Sequence, residues 1–267
     1  MKVDHGVVAQ LEDYPMIARR PMLIAALAGG LSLALGGAAL AGETKVAVAA
    51  NFTEAAREIA ARFKIRTGHD ATLSFGSSGQ FYAQIANGAP YEVFLSADVE
   101  RPQKAEAEGL VVPGSRFTYA TGRLVLFSRT PGLVDAKGAV LARGGFEKLA
   151  IADPKAAPYG QAAVETLTKL KLYDALKPRI VTGASITQAF QYVQTGAAEL
   201  GFVALSQVID EKGGSRWIVP AGDHTPIEQQ AVLLKTGQNS AAAKAFVAFL
   251  KGGEAKAIIK RYGYEVR

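Results

Sequence analysis

The order of the predicted secondary structure constrains the fold of this chain more than any other feature. From Lys45 onward, short runs rich in aliphatic and β-branched residues alternate with longer stretches of helical periodicity. This alternation is typical of α/β folds with a mostly parallel sheet, because a helix returns the chain between parallel strands. The predicted strands are 45–50, 71–75, 93–96, 124–128, 149–152, 180–182, 200–203 and 231–234. The predicted helices are 54–66, 80–87, 101–108, 161–170, 187–195, 241–250 and 254–262.

Two segments rich in glycine and proline, 111–141 and 213–228, interrupt this alternation. We place the crossings between two lobes there, because the boundaries of domains are often rich in these residues. The predicted first lobe comprises 43–121 and 230–267, and the second comprises 122–229. Two lobes of this size predict a ligand cleft between them, with helices flanking a mostly parallel sheet in each.

The first 42 residues follow the order of a secretory signal peptide. Arg19 and Arg20 precede an uncharged apolar run, 23–40, which ends in a small-x-small cleavage sequence at Ala41. We therefore predict that 1–42 is a signal peptide, cleaved after about Ala41, and that the protein is exported. An uncleaved membrane anchor is the alternative, because such a run could just cross a bilayer of about 30 Å. The start methionine and the export route, Sec or twin-arginine, stay open.

The composition excludes several classes of site. The 267 residues include no cysteine, which rules out disulfides, thiolate metal sites and cysteine nucleophiles. Three scattered histidines argue against a histidine metal cage, and no nucleotide-binding glycine motif is present. These absences predict that the protein uses no cofactor. The formal charge of +6 comes from dispersed basic residues and the chain carries a predicted export signal, so we expect no nucleic-acid partner.

Four of the predicted strands run into helices through similar short segments, 50–54, 75–80, 153–160 and 183–188. A helix start leaves backbone N–H groups unpaired and carries partial positive charge, both of which attract anions. Open α/β sheets gather such starts beyond the carboxyl ends of their strands. Lys155 is the only cation in these segments. A site of neutral donors would favour a small, fully ionised oxyanion over ligands that must donate hydrogen bonds.

Two other interpretations of these segments stay open. Asn51 with Glu54, Ser77 with Gln80 and Ser185 with Gln188 have capping-box spacing, so each side chain could simply satisfy its own helix. The sequence Gly-Ser-Ser-Gly at 76–79 also suggests an exported serine hydrolase that uses Ser78 or Ser77. It lacks the Gly-x-Ser-x-Gly spacing, and only two histidines follow the predicted signal peptide.

Seven short segments carry a resemblance to a known family: Ala49-Ala50-Asn51-Phe52, Ser74-Phe75-Gly76-Ser77-Ser78-Gly79, Gly88-Ala89-Pro90, Val93-Phe94-Leu95-Ser96-Ala97-Asp98, Ala157-Pro158-Tyr159-Gly160, Leu200-Gly201-Phe202-Val203 and Lys260-Arg261-Tyr262-Gly263-Tyr264. Together they resemble the periplasmic molybdate-binding proteins that supply a molybdate ABC importer. The resemblance covers essentially the whole mature chain. It implies a two-lobed type II periplasmic-binding-protein fold that closes on molybdate or tungstate without a chemical step. It also implies a periplasmic monomer whose partner is an ABC permease in the inner membrane.

The resemblance also implies the residues that hold the oxyanion. They are Asn51, Ser78 through its hydroxyl and backbone N–H, and the backbone N–H groups of Tyr159 and Ile186. Possible supporting residues are Ala50, Ser77 and Ser185.

The chain departs from the family's pattern at two positions. Many members have a serine or threonine where Ala50 or its neighbour stands, and many have a tyrosine donor where Ala204 stands. The implied donor set is therefore smaller than in those members. Selectivity between molybdate, tungstate and other tetrahedral oxyanions, such as sulfate or phosphate, stays open.

Overall fold

A computed structural model describes residues 41–266, which form two five-stranded sheets flanked by helices. The predicted α/β class with two lobes is thereby confirmed. The strands are β1 (Glu43–Ala49), β2 (Asp70–Gly76), β3 (Val93–Leu95), β4 (Phe117–Gly122), β5 (Leu124–Ser128), β6 (Leu149–Ala152), β7 (Ile180–Gly183), β8 (Leu200–Ala204), β9 (Ser215–Ile218) and β10 (Ile227–Leu233).

The helices match the predicted ones, with a few short additions. They are α1 (Thr53–Thr67), α2 (Ser78–Ala86), α3 (Glu100–Ala107), α4 (Val140–Arg143), α5 (Pro158–Lys169), α6 (Tyr173–Leu176), α7 (Ile186–Gln194), α8 (Leu205–Val208), α9 (Ala241–Lys251) and α10 (Gly253–Arg261). Four 3-10 turns are also present in the described chain, at Ala50–Phe52, Lys177–Arg179, Ala221–Asp223 and Lys235–Gly237.

Each sheet is mixed rather than mostly parallel. The first has the order β2-β1-β3-β10-β4, in which β1 is parallel to β2 and β3 while β10 is antiparallel to β3 and β4. The second has the order β7-β6-β8-β5-β9, in which β6 is parallel to β7 and β8 while β5 is antiparallel to β8 and β9. The antiparallel pairings belong to the strands that leave one sheet or return from the other.

The chain crosses between the sheets twice. It leaves β4 at Gly122 and starts β5 at Leu124, and it returns between the end of β9 and the start of β10. The first sheet thus takes its strands from 43–122 and 227–233, and the second from 124–218. The division into lobes at 121/122 and 229/230 stays a prediction. Strands β4 and β9 lie in the segments rich in glycine and proline, which is why the sequence pattern missed them.

The cores follow from the apolar faces of these elements. In the first lobe, Val46 and Val48 of β1 pack with α1 on one side of the sheet, while Ala47 packs with α2 on the other. Such two-sided burial accounts for the continuous apolar run of β1. Helix α1 ends at Thr67, and Gly68 caps it with a φ of 75° and an N–H bond to the Lys64 carbonyl at 2.9 Å.

Between residues 41 and 266, no helix is both long enough and apolar enough to span a bilayer. The predicted signal peptide and its alternative as a membrane anchor lie outside the described residues, except for Ala41 and Gly42.

Candidate functional site

The four predicted loops meet at one small cavity. The structure brings the four predicted ligand residues together, and they line the cavity with two of the three supporting residues: Asn51, Ser78, Tyr159, Ile186, Ala50 and Ser77. The third supporting residue, Ser185, precedes Ile186 and is not in the cavity wall.

Asn51 lies in the 3-10 turn that follows β1, and it is buried. Its side-chain Nδ2 donates to Gln229 Oε1 at 2.9 Å and to Tyr264 Oη at 3.1 Å. Both amide hydrogens therefore have protein partners. The side chain makes no cap bond to a helix, so its predicted capping role is wrong because these buried partners hold the amide instead. The backbone N–H, at the start of the turn, is the donor that Asn51 can offer a ligand.

Ser77 and Ser78 have different roles at the start of α2. Ser77 caps the helix, since its Oγ accepts from the Gln80 N–H and its own N–H donates to the Gln80 side chain. Ser78 is almost completely buried, and its Oγ accepts from the Ala97 N–H at 2.9 Å. The hydroxyl proton of Ser78 therefore remains available to a ligand. Its backbone N–H lies in the first turn, where it has no partner within the helix.

Tyr159 presents its backbone N–H at the start of α5. The helix begins with Pro158, which has no N–H, and both Gly160 and Gln161 donate to the Ala157 carbonyl. The Tyr159 N–H lies between these groups and has no partner within its own helix.

Ile186 holds the corresponding place at the start of α7. Ser185 caps this helix by accepting from the Gln188 N–H at 3.3 Å. The Ser185 hydroxyl thus satisfies its own helix, while Ile186 lines the cavity and its N–H, at the first helical position, has no partner within the helix.

A cluster of buried polar side chains lies next to the cavity. This buried polar cluster consists of Tyr119, Tyr159, Tyr264, Gln229 and Asn51. The Tyr119 hydroxyl donates to Gln229 Oε1 at 3.0 Å, and Gln229 Nε2 donates to Tyr159 Oη at 3.4 Å. The Tyr264 hydroxyl donates to the Asn51 carbonyl at 2.7 Å. Burial raises the pKa of all three tyrosine hydroxyls above the ordinary value of about 10, so they stay neutral at physiological pH.

Sequence reasoning missed most of this cluster. The sequence assigns Tyr264 no polar role, and Tyr119 falls in the unpredicted strand β4. No local signal identifies Gln229, because it stands in the polar run 228–230 just before the predicted strand 231–234, yet it is fully buried in β10. A polar side chain at an inward position of a buried strand indicates a hydrogen-bonded network.

Hydrogen bonds join the two lobes on several sides of the cavity. Ser206 Oγ of α8 donates to the Asn51 carbonyl at 2.8 Å. Thr187 Oγ1 of α7 donates to the Ala50 carbonyl at 3.3 Å. The Gly79 N–H of α2 donates to the Ala156 carbonyl at 2.9 Å. The cavity is therefore enclosed by a closed arrangement of the lobes.

Neither cations nor histidines line this cavity. Its polar groups are amides and hydroxyls, and within residues 41–266 no cluster of three or more acidic or histidine side chains could hold a metal ion. His69 Nδ1 accepts from the Gly42 N–H at the opposite end of β1, and His224 is bonded to the Thr225 carbonyl on the surface. Ser78 therefore has no general base among the residues of the cavity, and the arrangement suits binding rather than hydrolysis.

Comparison with known proteins agrees with this geometry. Residues 44–265 match the family model described as "Bacterial extracellular solute-binding protein". The molybdate-binding protein ModA of Rhodobacter capsulatus is 58% identical over 95% of this chain and 99% of its own length. ModA of Azotobacter vinelandii is 55% identical over 91% of this chain and 96% of its own length.

A solved structure extends the comparison to three dimensions. The periplasmic molybdate-binding protein of Azotobacter vinelandii matches with a TM-score of 0.81 and 48% identity, over 84% of this chain and 99% of that chain. These relatives are binding proteins, which confirms the expectation of a protein that is not an enzyme. The chain belongs to the bacterial extracellular solute-binding protein family, in the group that contains the ModA proteins.

Proposed function

We propose that the protein captures molybdate or tungstate in this cavity and delivers the oxyanion to an ABC importer. The observation that carries the proposal is the convergence of neutral donors from four separate loops of both lobes on one small cavity. The two relatives above, which are more than half identical to this chain, are named for molybdate binding and support the same ligand.

The chemistry of the donors favours a fully ionised oxyanion. The candidate donors are the Ser78 hydroxyl and the backbone N–H groups of Asn51, Ser78, Tyr159 and Ile186. Each can donate a hydrogen bond to an unprotonated oxygen of the anion. A protonated phosphate would need an acceptor for its own hydrogen, so we expect it to bind more weakly. Five bonds of about 1.5–3 kcal/mol each, the range for bonds to a charged group, give roughly 10 kcal/mol before the costs of closure. Affinities in the micromolar to nanomolar range follow.

The two departures from the family's pattern bear on selectivity. Ala50 lines the cavity without a hydroxyl, and Ala204 is fully buried at the end of β8. Ser206 lies two residues beyond Ala204, but its hydroxyl donates to the Asn51 carbonyl. Selection among tetrahedral dianions then depends on how the size of the anion matches the closed cavity. A binding protein for sulfate is the alternative that this leaves open.

Calorimetric titration of the ligand-free protein with molybdate, tungstate, sulfate and phosphate tests the proposal. We expect tight binding of molybdate and tungstate, and at least tenfold weaker binding of sulfate and phosphate. Sulfate binding as tight as molybdate binding would favour the sulfate alternative. No heat, and no shift of the melting temperature with any of the four anions, would refute oxyanion capture.

We also propose that the protein works in the periplasm as a monomer, with a permease in the inner membrane as its partner. The mass of the exported protein tests the first part, because cleavage after Ala41 leaves Gly42 as the first residue. Light scattering at micromolar concentration tests whether the protein is a monomer, and the mass of a dimer would contradict the proposal.

A further inference from the structure

The loop 153–157 of the second lobe is held by two donors from the first lobe, both outside the cavity wall described above. The Gly79 N–H donates to the Ala156 carbonyl at 2.9 Å, and Arg101 Nη2 donates to the Lys155 carbonyl at 2.9 Å. This loop leads directly into α5 and hence to the Tyr159 N–H. Its position therefore determines where that N–H points.

Arg101 is itself oriented by Asp98. The Arg101 backbone N–H donates to Asp98 Oδ1 at 3.0 Å, and its guanidinium Nη1 forms an ion pair with Asp98 Oδ2. Both side chains are only 15% exposed. Asp98 follows Ala97, whose N–H donates to Ser78 Oγ. A continuous path of contacts thus joins the Ser78 hydroxyl of the first lobe to the loop 153–157 of the second lobe.

Gly79 permits the close approach of the two lobes at this point. A Cβ on residue 79 would lie 3.0 Å from both the Cα and the carbonyl oxygen of Ala156, and 3.2 Å from Arg101 Nε. Such distances are tighter than ordinary van der Waals contact. The first lobe could accept an alanine here, because alanine is a good helix former, but the closed cleft could not do so without opening slightly.

We propose that Arg101 is a positioning residue of the oxyanion site, which fastens the loop 153–157 across the closed cleft and so holds the Tyr159 N–H on the ligand. This inference rests on the proposed function. Asp98 neutralises the charge of Arg101, and the Arg101 guanidinium donates to the Lys155 carbonyl. Arg101 therefore holds the closed state and does not contact the anion. The fork of the guanidinium serves Asp98 and Lys155 at once, which a lysine ammonium does less well.

The consequence concerns how long the ligand stays bound. Loss of the contact destabilises the closed complex, while the open protein still meets the anion in the same way. The effect should therefore fall on the dissociation rate rather than on the association rate. For a hydrogen bond from a charged donor, we expect a change of about ten- to a hundredfold.

The test compares Arg101→Met, Arg101→Lys and Gly79→Ala with wild type, by release of radiolabelled molybdate into excess unlabelled molybdate. Arg116→Met is the matched control, because Arg116 pairs with Glu106 at 2.7 Å and with Gln230 at 2.9 Å, all within the first lobe. Melting temperatures without ligand separate loss of closure from loss of folding.

We expect Arg101→Met and Gly79→Ala to release molybdate about ten- to a hundredfold faster than wild type, and Arg101→Lys to lie between them and wild type. Arg116→Met should stay within about threefold of wild type. Release at the wild-type rate from both Arg101→Met and Gly79→Ala, or equal acceleration by Arg116→Met, would overturn the inference while the proposed function stands. A wild-type protein that does not bind molybdate would instead refute the proposed function.

Discussion

Asn51 and Ser78 illustrate how two buried polar residues of one cavity differ in what they leave free for the proposed ligand. Both amide hydrogens of Asn51 are used by Gln229 and Tyr264, so this side chain anchors its loop. Ser78 only accepts a bond from the protein, at 2.9 Å from the Ala97 N–H, and keeps its proton for a ligand. A substitution at Asn51 should therefore mainly lower the free energy of unfolding, whereas a substitution at Ser78 should mainly lower the affinity for the ligand.

Replacing Ser78 by alanine should weaken molybdate binding by about 1.5–3 kcal/mol, which is roughly ten- to 150-fold, because a donor to a charged ligand is removed. Calorimetry measures the affinity. Ser77→Ala is the control, since Ser77 caps α2 and its loss should cost about 1 kcal/mol of stability with a smaller change in affinity. Equal losses of affinity in the two variants would contradict the separate roles of the two serines.

Replacing Tyr264 by phenylalanine should lower the free energy of unfolding by about 1–3 kcal/mol, because the buried Asn51 amide and carbonyl each lose a partner. The ring itself keeps its packing against Phe52, at 5.3 Å between centroids. Urea unfolding measures the change. Tyr262→Phe serves as the control, since Tyr262 lies outside the buried polar cluster and should change stability by less than about 0.5 kcal/mol. A Tyr264 variant as stable as its control would contradict the anchoring role.

At the scale of elements, the site is built from the ends of β1, β2, β6 and β7 and from the turns or helices that follow them. The starts of α2 and α7 are capped by their own serines, whereas α5 begins with a proline and has no side-chain cap. The crossing between the sheets passes directly behind α5. A Cβ on Gly122, at the end of β4, would lie 2.0 Å from the Tyr159 hydroxyl.

Gly122→Ala should therefore displace Tyr159 and destabilise the protein by about 1–3 kcal/mol, the usual cost of overpacking, with a loss of molybdate affinity. Thermal unfolding and calorimetry together measure both effects. Gly213→Ala is a suitable control, because a Cβ there meets no atom within 4 Å. Tight binding and full stability in Gly122→Ala would show that the crossing does not constrain Tyr159.

Much of this architecture was predictable from local pattern. Each of the eight predicted strands lies on an observed strand, because runs such as β1 and β6 are apolar and bounded by turn residues. The four loops of the site were also found, since strand–cap–helix order is a local signal. The buried polar cluster was not predictable, because Tyr119, Tyr159, Gln229 and Tyr264 meet only after both crossings are made. Strand pairing with β10, and its bulge at Gln229/Gln230, is likewise not local.

At the scale of the whole molecule, the buried polar cluster makes stability depend on alkaline pH. Burial raises the pKa of Tyr119, Tyr159 and Tyr264, so these hydroxyls keep their protons in the folded protein well above pH 10. The same side chains ionise near about pH 10 when unfolded. Above that pH the unfolded chain binds fewer protons than the folded protein, so the free energy of unfolding falls as the pH rises.

We expect these tyrosines to leave stability unchanged below about pH 9 and to lower it above about pH 10, each by about 1.4 kcal/mol per pH unit. Urea unfolding in buffers from about pH 8 to about pH 11 measures the slope. Tyr264→Phe should lose about a third of the contribution of the three groups. An identical slope in the variant and the parent would show that Tyr264 does not keep its proton.

The interleaving of the two sheets along the chain also has a consequence for biogenesis. The second sheet uses one uninterrupted stretch, 124–218, whereas the first must wait for β10 to insert between β3 and β4. A polypeptide that emerges from a ribosome or a translocation channel with its amino end first can therefore assemble the second sheet while the first still exposes unpaired strand edges. We expect the half-finished first sheet to be the part that needs chaperones during synthesis.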